Sequence, residues 1–408
     1  MLKFENAYEI VMNHAKKLGT ISVDLSKALG RVLAEDILSD IDMPPFDKSA
    51  MDGYACRFED LDNELEIIEE IQAGCLPVKT VGINECSKIM TGAVIPDGTN
   101  CVIIIEETEL TKNGKVKYLK DLSDSTKELK SKCCKKDGEN ICRKSEDIAK
   151  GDIVLKAGMV LKPSHIAVLA TVGSVKPLVY KRPYVGVIAT GTELIEPYDK
   201  PYDAKIRNSN SYQLCAQIRS IGCEPKYYGI AEDSESVIEH VMAEALAEND
   251  VVLISGGVSM GDYDYVPFCM KQNGMKILFD RVAIQPGKPI TFAVSENAAC
   301  FGMPGNPVST YMQFELLVKP FLFKIMGYDF KPLIFPMMLG ENIIRERAVR
   351  ESIIPVELKE GKVYPLAYHG SAHINALSVS DYVVSIPLGI TEIKKGSFIN
   401  VRQIQQTY

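Results

Sequence analysis

Apolar positions recur at three- and four-residue steps over residues 2–18 (Tyr8, Val11, Ala15, Leu18) and over 25–37 (Leu25, Ala28, Leu29, Val32, Leu33). That spacing predicts two amphipathic helices. Met43-Pro44-Pro45-Phe46 then stops both periods, because consecutive prolines continue neither element. From there to about residue 126, short apolar runs at Ile67-Ile68, 102–105 and 116–119 alternate with Gly74, Gly82, Gly98 and Gly114. They predict short strands joined by turns. Residues 127–150 are dense in charge and lack a period, which reads as a solvated connector.

The pattern changes between 181 and 327. Apolar strands at 184–189, 226–230 and 250–254 alternate with helical spacing over 208–221, 234–248 and near 265–272. Strands alternating with helices mean βαβ units and a mostly parallel sheet. A last helix opens at Asn306-Pro307, an N-cap followed by proline, and runs through Tyr311, Phe314, Leu317 and Val318, with Pro320 expected to kink it. Beyond Gly327 the chain returns to strands at 352–359, 363–366, 382–386 and 398–404, with a hairpin turn at Lys359-Glu360-Gly361-Lys362. A small all-β barrel or sandwich follows. The fold class expected is α/β plus β: a multi-domain chain with a mixed β domain, a mostly parallel α/β domain and a C-terminal barrel.

Composition narrows the function. The 408 residues carry 46 Lys and Arg against 54 Asp and Glu, a formal charge of −8. No basic body for coating nucleic acid is present, although a local site for a small anion is compatible with that charge. No apolar run approaches the ~20 residues of a membrane span. Glu5, Asn6, Glu9 and Asn13 interrupt residues 1–18, which therefore lack the core of a signal peptide, and a cytoplasmic location is expected. Eleven cysteines, an odd number, are scattered through apparent strand and helix interiors. They make no disulfide framework, and Cys133, Cys134 and Cys142 read as loop thiols.

Ligands of parallel α/β sheets bind where strand ends lead into helix N-termini. Three such loops carry chemistry: Thr190-Gly191-Thr192-Glu193, the run from Ser255-Gly256-Gly257 through Ser259 and Gly261 to Asp264, and the run from Met303-Pro304-Gly305 through Asn306-Pro307 to Ser309. Glycines let backbone N–H groups face an anion. Neither a P-loop nor a GxGxxG turn is present, so the usual nucleotide readings fail. Lys288, between Gly287 and Pro289, is the best-placed cation. Glu193, Asp233, Asp262 and Asp264 crowd the same junctions, while Asp47 and Asp52 lie in the proline-flanked loop. Carboxylates beside anion-binding loops would repel phosphate unless a hard cation lies between, and Mg²⁺ is that cation.

Phe46-Asp47-Lys48-Ser49-Ala50-Met51-Asp52-Gly53-Tyr54-Ala55 resembles the FDxSAMDGYA signature of the molybdopterin molybdenumtransferases, relatives of the gephyrin E domain. Met90-Thr91-Gly92-Ala93, the turn at 190–194, 255–264, 286–289 and 302–309 are similar to that family's other blocks, in order. The resemblance implies insertion of molybdate into adenylylated molybdopterin with Mg²⁺-dependent release of AMP, by an elongated homodimer with no nucleic-acid or membrane partner. It also implies four parts: 1–43 with 147–180 as a linker domain, 44–146 as the β-rich domain, 181–328 as the α/β domain and 329–408 as the barrel. Carried over by position, Asp47, Asp52, Asp147, Glu193, Asp233, Asp264 and Lys288 are the implied catalytic residues, with Glu193, Asp233 and Asp264 as metal ligands. Ser49, Thr91, Gly92, Thr190, Gly191, Asn208, Ser255, Gly256, Gly257, Ser259, Gly261, Pro289, Pro304, Gly305, Asn306, Pro307, Ser309 and Arg350 are implied in substrate binding. Lys48, Thr192 and Gln285 depart from the family's common residues, and Gly370-Ser371-Ala372-His373 fits only loosely. An adenylyltransferase and a non-catalytic scaffold are the competing readings.

Overall fold

The computed structural model describes residues 1–119, 136–258, 264–366 and 373–404. The chain divides into two compact units: Met1–Glu35 with Ala157–Ile166 and Lys176–Tyr408, and Asp36–Lys156 with Ala167–Val175.

In the larger unit a six-stranded sheet has the order Glu224–Ala231, Tyr184–Thr190, Val251–Ser255, Ala299–Met303, Pro289–Val294, Lys276–Arg281. The first four strands are parallel and the last two antiparallel. The sheet is therefore mostly parallel, as its sequence predicts, but Lys276–Arg281, Pro289–Val294 and Ala299–Met303 complete it without having been predicted. Val251 and Leu253 pack into one apolar layer, Val252 and Ile254 into the other. Burial on both faces makes that strand a continuous apolar run. The Phe292 and Phe301 rings pack tilted at 35° with centroids 4.7 Å apart, and both meet Phe321 edge-on.

The helix predicted from 306 begins at Pro307, with Asn306 as its N-cap. It widens into a π-helical turn over Phe314–Val318, and Pro320 falls in the first turn of Lys319–Ile325. The break thus precedes the proline, whose missing N–H is harmless in a first turn. The N-terminal helix spans Phe4–Asn13, shorter than expected. The second predicted helix does not form: only a 3₁₀ turn, Leu25–Lys27, appears. Gly30 takes φ +71°, and the N–H groups of Gly30 and Leu33 donate to Leu161 and Met159. Long-range backbone pairing overrides a helical period that propensity alone would favour.

After Gly327, Ile334–Leu339, Glu351–Lys359, Lys362–Pro365, Tyr382–Ile386 and Phe398–Gln403 close into a five-stranded barrel. Its core includes Leu339, Val356, Val363, Val384 and Val401. The predicted hairpin at 359–362 forms, with Glu360 at φ +48° and Gly361 at φ +72°. That pair of positive φ values suits a two-residue turn between twisted strands.

The smaller unit holds a four-stranded sheet, in the order Glu66–Ile71, Glu85–Ile89, Gly53–Cys56, Cys101–Ile104. The connector reading of 127–150 is corrected in its described part. Ile141 is buried, Ile141–Cys142 pairs with Lys48–Ser49, and Arg143 bonds Asp47. Cys142 is therefore a strand residue; Cys133 and Cys134 lie outside the described residues. No helix among the described residues is long and apolar enough to cross a membrane.

Phe301→Ala should lower the free energy of unfolding by about 3–5 kcal/mol, the range for truncating a packed core aromatic. Equilibrium urea denaturation measures it.

Candidate active site

Register brings the loops together. Ala189 lies level with Ser255, and Ser255 with Met303, so three parallel strands end on one line. The Gly256 N–H donates to Met303 O at 3.1 Å, and Asn210 Nδ2 donates to Ser255 Oγ and Gly305 O at 2.8 and 2.7 Å. Gly256 has φ +101°, and a Cβ there would stand 2.3 Å from Thr190 O. Only glycine permits that approach.

These strand ends frame a cavity of about 880 Å³. Thr190, Gly191, Glu193, Asn208, Asp233, Ser255, Gly256, Gly257 and Asp264 line it, with Lys288, Pro289, Pro304, Gly305, Asn306, Pro307, Ser309 and Arg350. Ser259 and Gly261 lie outside the described residues, as does Asp262. Sequence reasoning missed Leu194, Ile206, Arg207, Ser209 and Asn210, which also line the cavity. The stretch between Glu193 and Asn208 carries no period to read, and its two short strands pair only with each other.

Lys288 sits where its loop is pinned: Val282 N–H donates to Lys288 O, and Gln313 Nε2 to Gly287 O. Arg350 reaches the same cavity from the barrel, with Nη1 3.5 Å from Ile284 O. On the acidic side, Asp233 Oδ2 accepts the Thr192 N–H at 2.8 Å. Glu193, Asp233 and Asp264 share the cavity, but no three acidic, His or Cys residues converge as a metal cage among the described residues. That donor set fits Mg²⁺ held by one or two carboxylates and completed by substrate oxygens and water, the usual habit of this ion. It does not make the three carboxylates a preformed cage.

The remaining candidates belong to the smaller unit, where Thr91 is bonded to Asp52 and Gly92 to Ser49. Thr91 donates to Asp52 Oδ1 through both N–H and hydroxyl, at 2.6 and 2.8 Å. Gly92 N–H donates to Ser49 O, and Ser49 Oγ to Met51 O. Asp47 is held by the Arg143 guanidinium at 2.7 Å and the Lys144 N–H at 2.8 Å. Asp147 is exposed, its N–H on Met43 O. Gly53 of the motif is explained by packing, since a Cβ there would fall 1.9 Å from Ile103 O. Partial burial works to raise the Asp47 carboxyl, but the Lys144 N–H and Arg143 outweigh it and hold it below the usual carboxylate range. The Thr91 N–H and hydroxyl hold Asp52 low as well.

Residues 2–173 match the family described as MoeA N-terminal region (domain I and II), and residues 186–324 match the probable molybdopterin binding domain. A molybdopterin molybdenumtransferase of Staphylococcus epidermidis is 34% identical over 421 residues, covering 98% of this chain and 95% of its own. The chain belongs to the molybdopterin molybdenumtransferase family. The Staphylococcus aureus MRSA252 relative of that name is likewise 34% identical, over 97% of this chain and 94% of its own. A crystal structure of the molybdopterin biosynthesis moeA protein from Pyrococcus horikoshii OT3 superposes with a TM-score of 0.83 at 31% identity, over 99% of this chain and 100% of that one. The Asp47–Asp52 loop falls within the first match and most of the cavity wall within the second.

Two outcomes follow for this molybdenumtransferase. Gly256→Ala should cost roughly 1–3 kcal/mol of stability through backbone strain, whereas Gly305→Ala, with no atom within 4 Å of its Cβ, should be nearly neutral; thermal melts compare them. Because Asp52 is held low in the folded state, its contribution is complete above the ordinary carboxylate pKa near ~4 and is lost as pH falls through the folded value. Asp52→Asn should therefore flatten the acid limb of stability against pH between about 5 and 3, measured by chemical denaturation.

Proposed function

We propose that the protein inserts molybdate into adenylylated molybdopterin, releasing AMP in a Mg²⁺-dependent step, as a cytoplasmic homodimer. The observation that carries this reading is the single cavity in which Lys288 and Arg350 face the same space as Glu193, Asp233 and Asp264. A site for an anion alone would omit the acids, and a cation site alone would omit the arginine and lysine. A substrate that is polyanionic and delivered with a divalent ion uses both.

In this reading the glycine turns at 191 and 257 and the helix beginning at Pro307 supply N–H groups and a positive dipole end to phosphate oxygens. Lys288, which lines the cavity, would neutralise charge developing on the leaving phosphate. One or two of Glu193, Asp233 and Asp264 would hold Mg²⁺, which when bound would polarise the phosphate linkage to AMP. Asp47 and Asp52, kept ionised by their hydrogen bonds, are proposed to orient molybdate and its waters rather than to donate protons. Ser49, Thr91, Gly92 and Asp147 are proposed to serve the same reaction because they lie in the part of the chain that matches the family's N-terminal region.

Purified protein should release AMP from adenylylated molybdopterin only when molybdate and Mg²⁺ are both supplied, and EDTA should abolish release. Lys288→Ala should lower kcat by on the order of 10²-fold. AMP release without molybdate would favour a hydrolase, and unchanged turnover in Asp47→Asn and Asp264→Asn would sink the assigned chemistry.

A further inference from the structure

Arg207 lines the cavity, yet neither the sequence signature nor the anion-binding loops include it. It lies on a strap leaving the sheet at Thr190 and rejoining the fold at the helix Asn210–Ser220. Within the strap, Leu194–Ile195 runs parallel to Ile206–Arg207. The Ile206 N–H donates to Glu193 O and the Asn208 N–H to Ile195 O, both at 2.8 Å. Lys205 Nζ bonds Thr192 O. Besides Asp233 on the Thr192 N–H, Glu196 fixes this strap to the domain, accepting from Tyr227 OH at 2.8 Å and from Tyr212 OH at 3.1 Å. Tyr227 OH in turn accepts from Asn208 Nδ2 at 2.7 Å, next to Arg207.

The guanidinium is oriented but not neutralised. Its Nε donates to Asp199 O at 3.1 Å, and among the described residues no carboxylate lies within 4 Å of Arg207, Lys288 or Arg350. Three cations without an ion-pair partner among the described residues thus surround one cavity in a chain of net charge −8. Acid side chains are plentiful, so leaving all three unpaired at one place points to an anionic guest. Guanidinium suits phosphate oxygens by presenting a planar fork, and the Nε contact leaves the terminal nitrogens to do so.

We propose that Arg207 is a further binding residue for the anionic oxygens of the substrate, and that Glu196, through Tyr212 and Tyr227, is the positioning residue holding its strap against the cavity. This rests on the reading that the cavity takes a phosphate-bearing substrate. The shared chemistry is an oxyanion, supplied by the nucleotide, by the pyrophosphate link or by molybdate.

Titration calorimetry with AMP, inorganic pyrophosphate and molybdate, at low and high salt, tests it on the full chain. Arg207→Ala should weaken at least one of the three about tenfold at low salt and flatten that ligand's salt dependence, the ligand affected identifying the source. Arg207→Lys should recover part of the loss, whereas a merely structural role would not follow charge. Tyr227→Phe should weaken the same ligand by a smaller factor, and Tyr227→Phe with Arg207→Ala should be no weaker than Arg207→Ala alone. Affinity for all three ligands within twofold of wild type in a folded Arg207→Ala protein overturns the inference. Additive losses in the double variant overturn the positioning role of Glu196 and its tyrosines. Wild-type protein that binds none of the three overturns the reading of the cavity, and this inference with it.

Discussion

The constraint on which the site depends is the register of three parallel strands. Because Ala189, Ser255 and Met303 stand level, their loops leave the sheet at one height, and Gly256 can bring its backbone against Thr190. A slip of one residue would turn every side chain of Val251–Ser255 to the opposite layer. Both layers are packed: Leu253 lies with Phe292 and Phe301, and Ile254 with Met242 and Val266. The apolar core thus fixes the polar site. It needs no catalytic residue to do so.

That division explains why acids and bases can share one cavity. Lys288 and Glu193 reach it from loops anchored at different strand ends, and among the described residues neither carries a short ion pair that would cancel its charge. Solvent in an open cavity screens their attraction, leaving both free to meet a ligand. In the smaller unit the opposite choice is made. Asp47 is spent on Arg143 and Lys144, and Asp52 on Thr91, so their charge and orientation are settled in advance. In the proposed reaction such fixed orientation would remove reorganisation from the chemical step.

The sequence made the parallel sheet, the barrel and most of the cavity wall legible, because each rests on local rules. An apolar run such as Val251-Val252-Leu253-Ile254 means a buried strand, and Asn306-Pro307 means a helix start. What escaped depends on distant partners. Leu25 to Leu33 has helical spacing, yet Gly30 and Leu33 bond to residues near 160, and no local period announces that. The charge-dense 136–150 segment hides Ile141, whose burial needs Ser49 and Lys48 beside it. Arg207 was overlooked for the same reason: its significance comes from a strap tied down by Glu196, Tyr212 and Tyr227, which lie far apart along the chain.

The barrel reaches the cavity through Arg350, and a buried polar cluster explains how its attachment is kept in register. Glu315, in the π-helical turn, accepts from Gln217 Nε2 and Lys319 Nζ, both at 2.8 Å, while Arg402 of the last barrel strand donates to Glu315 O at 3.1 Å. Such a buried pair adds little net stability, because desolvation offsets the attraction. Its effect falls on the alternatives. Sliding the last strand by one residue would strand the Arg402 guanidinium, whose deep burial already disfavours its charged form. The penalty for an uncompensated buried charge runs to several kcal/mol, far more than the pair contributes when made. A widened helical turn lets one residue reach both neighbours, since it redirects Glu315 without breaking the helix that opens at the cavity. The same helix therefore carries the N-terminal end that faces the cavity and the Glu315 carbonyl that receives Arg402 of the barrel.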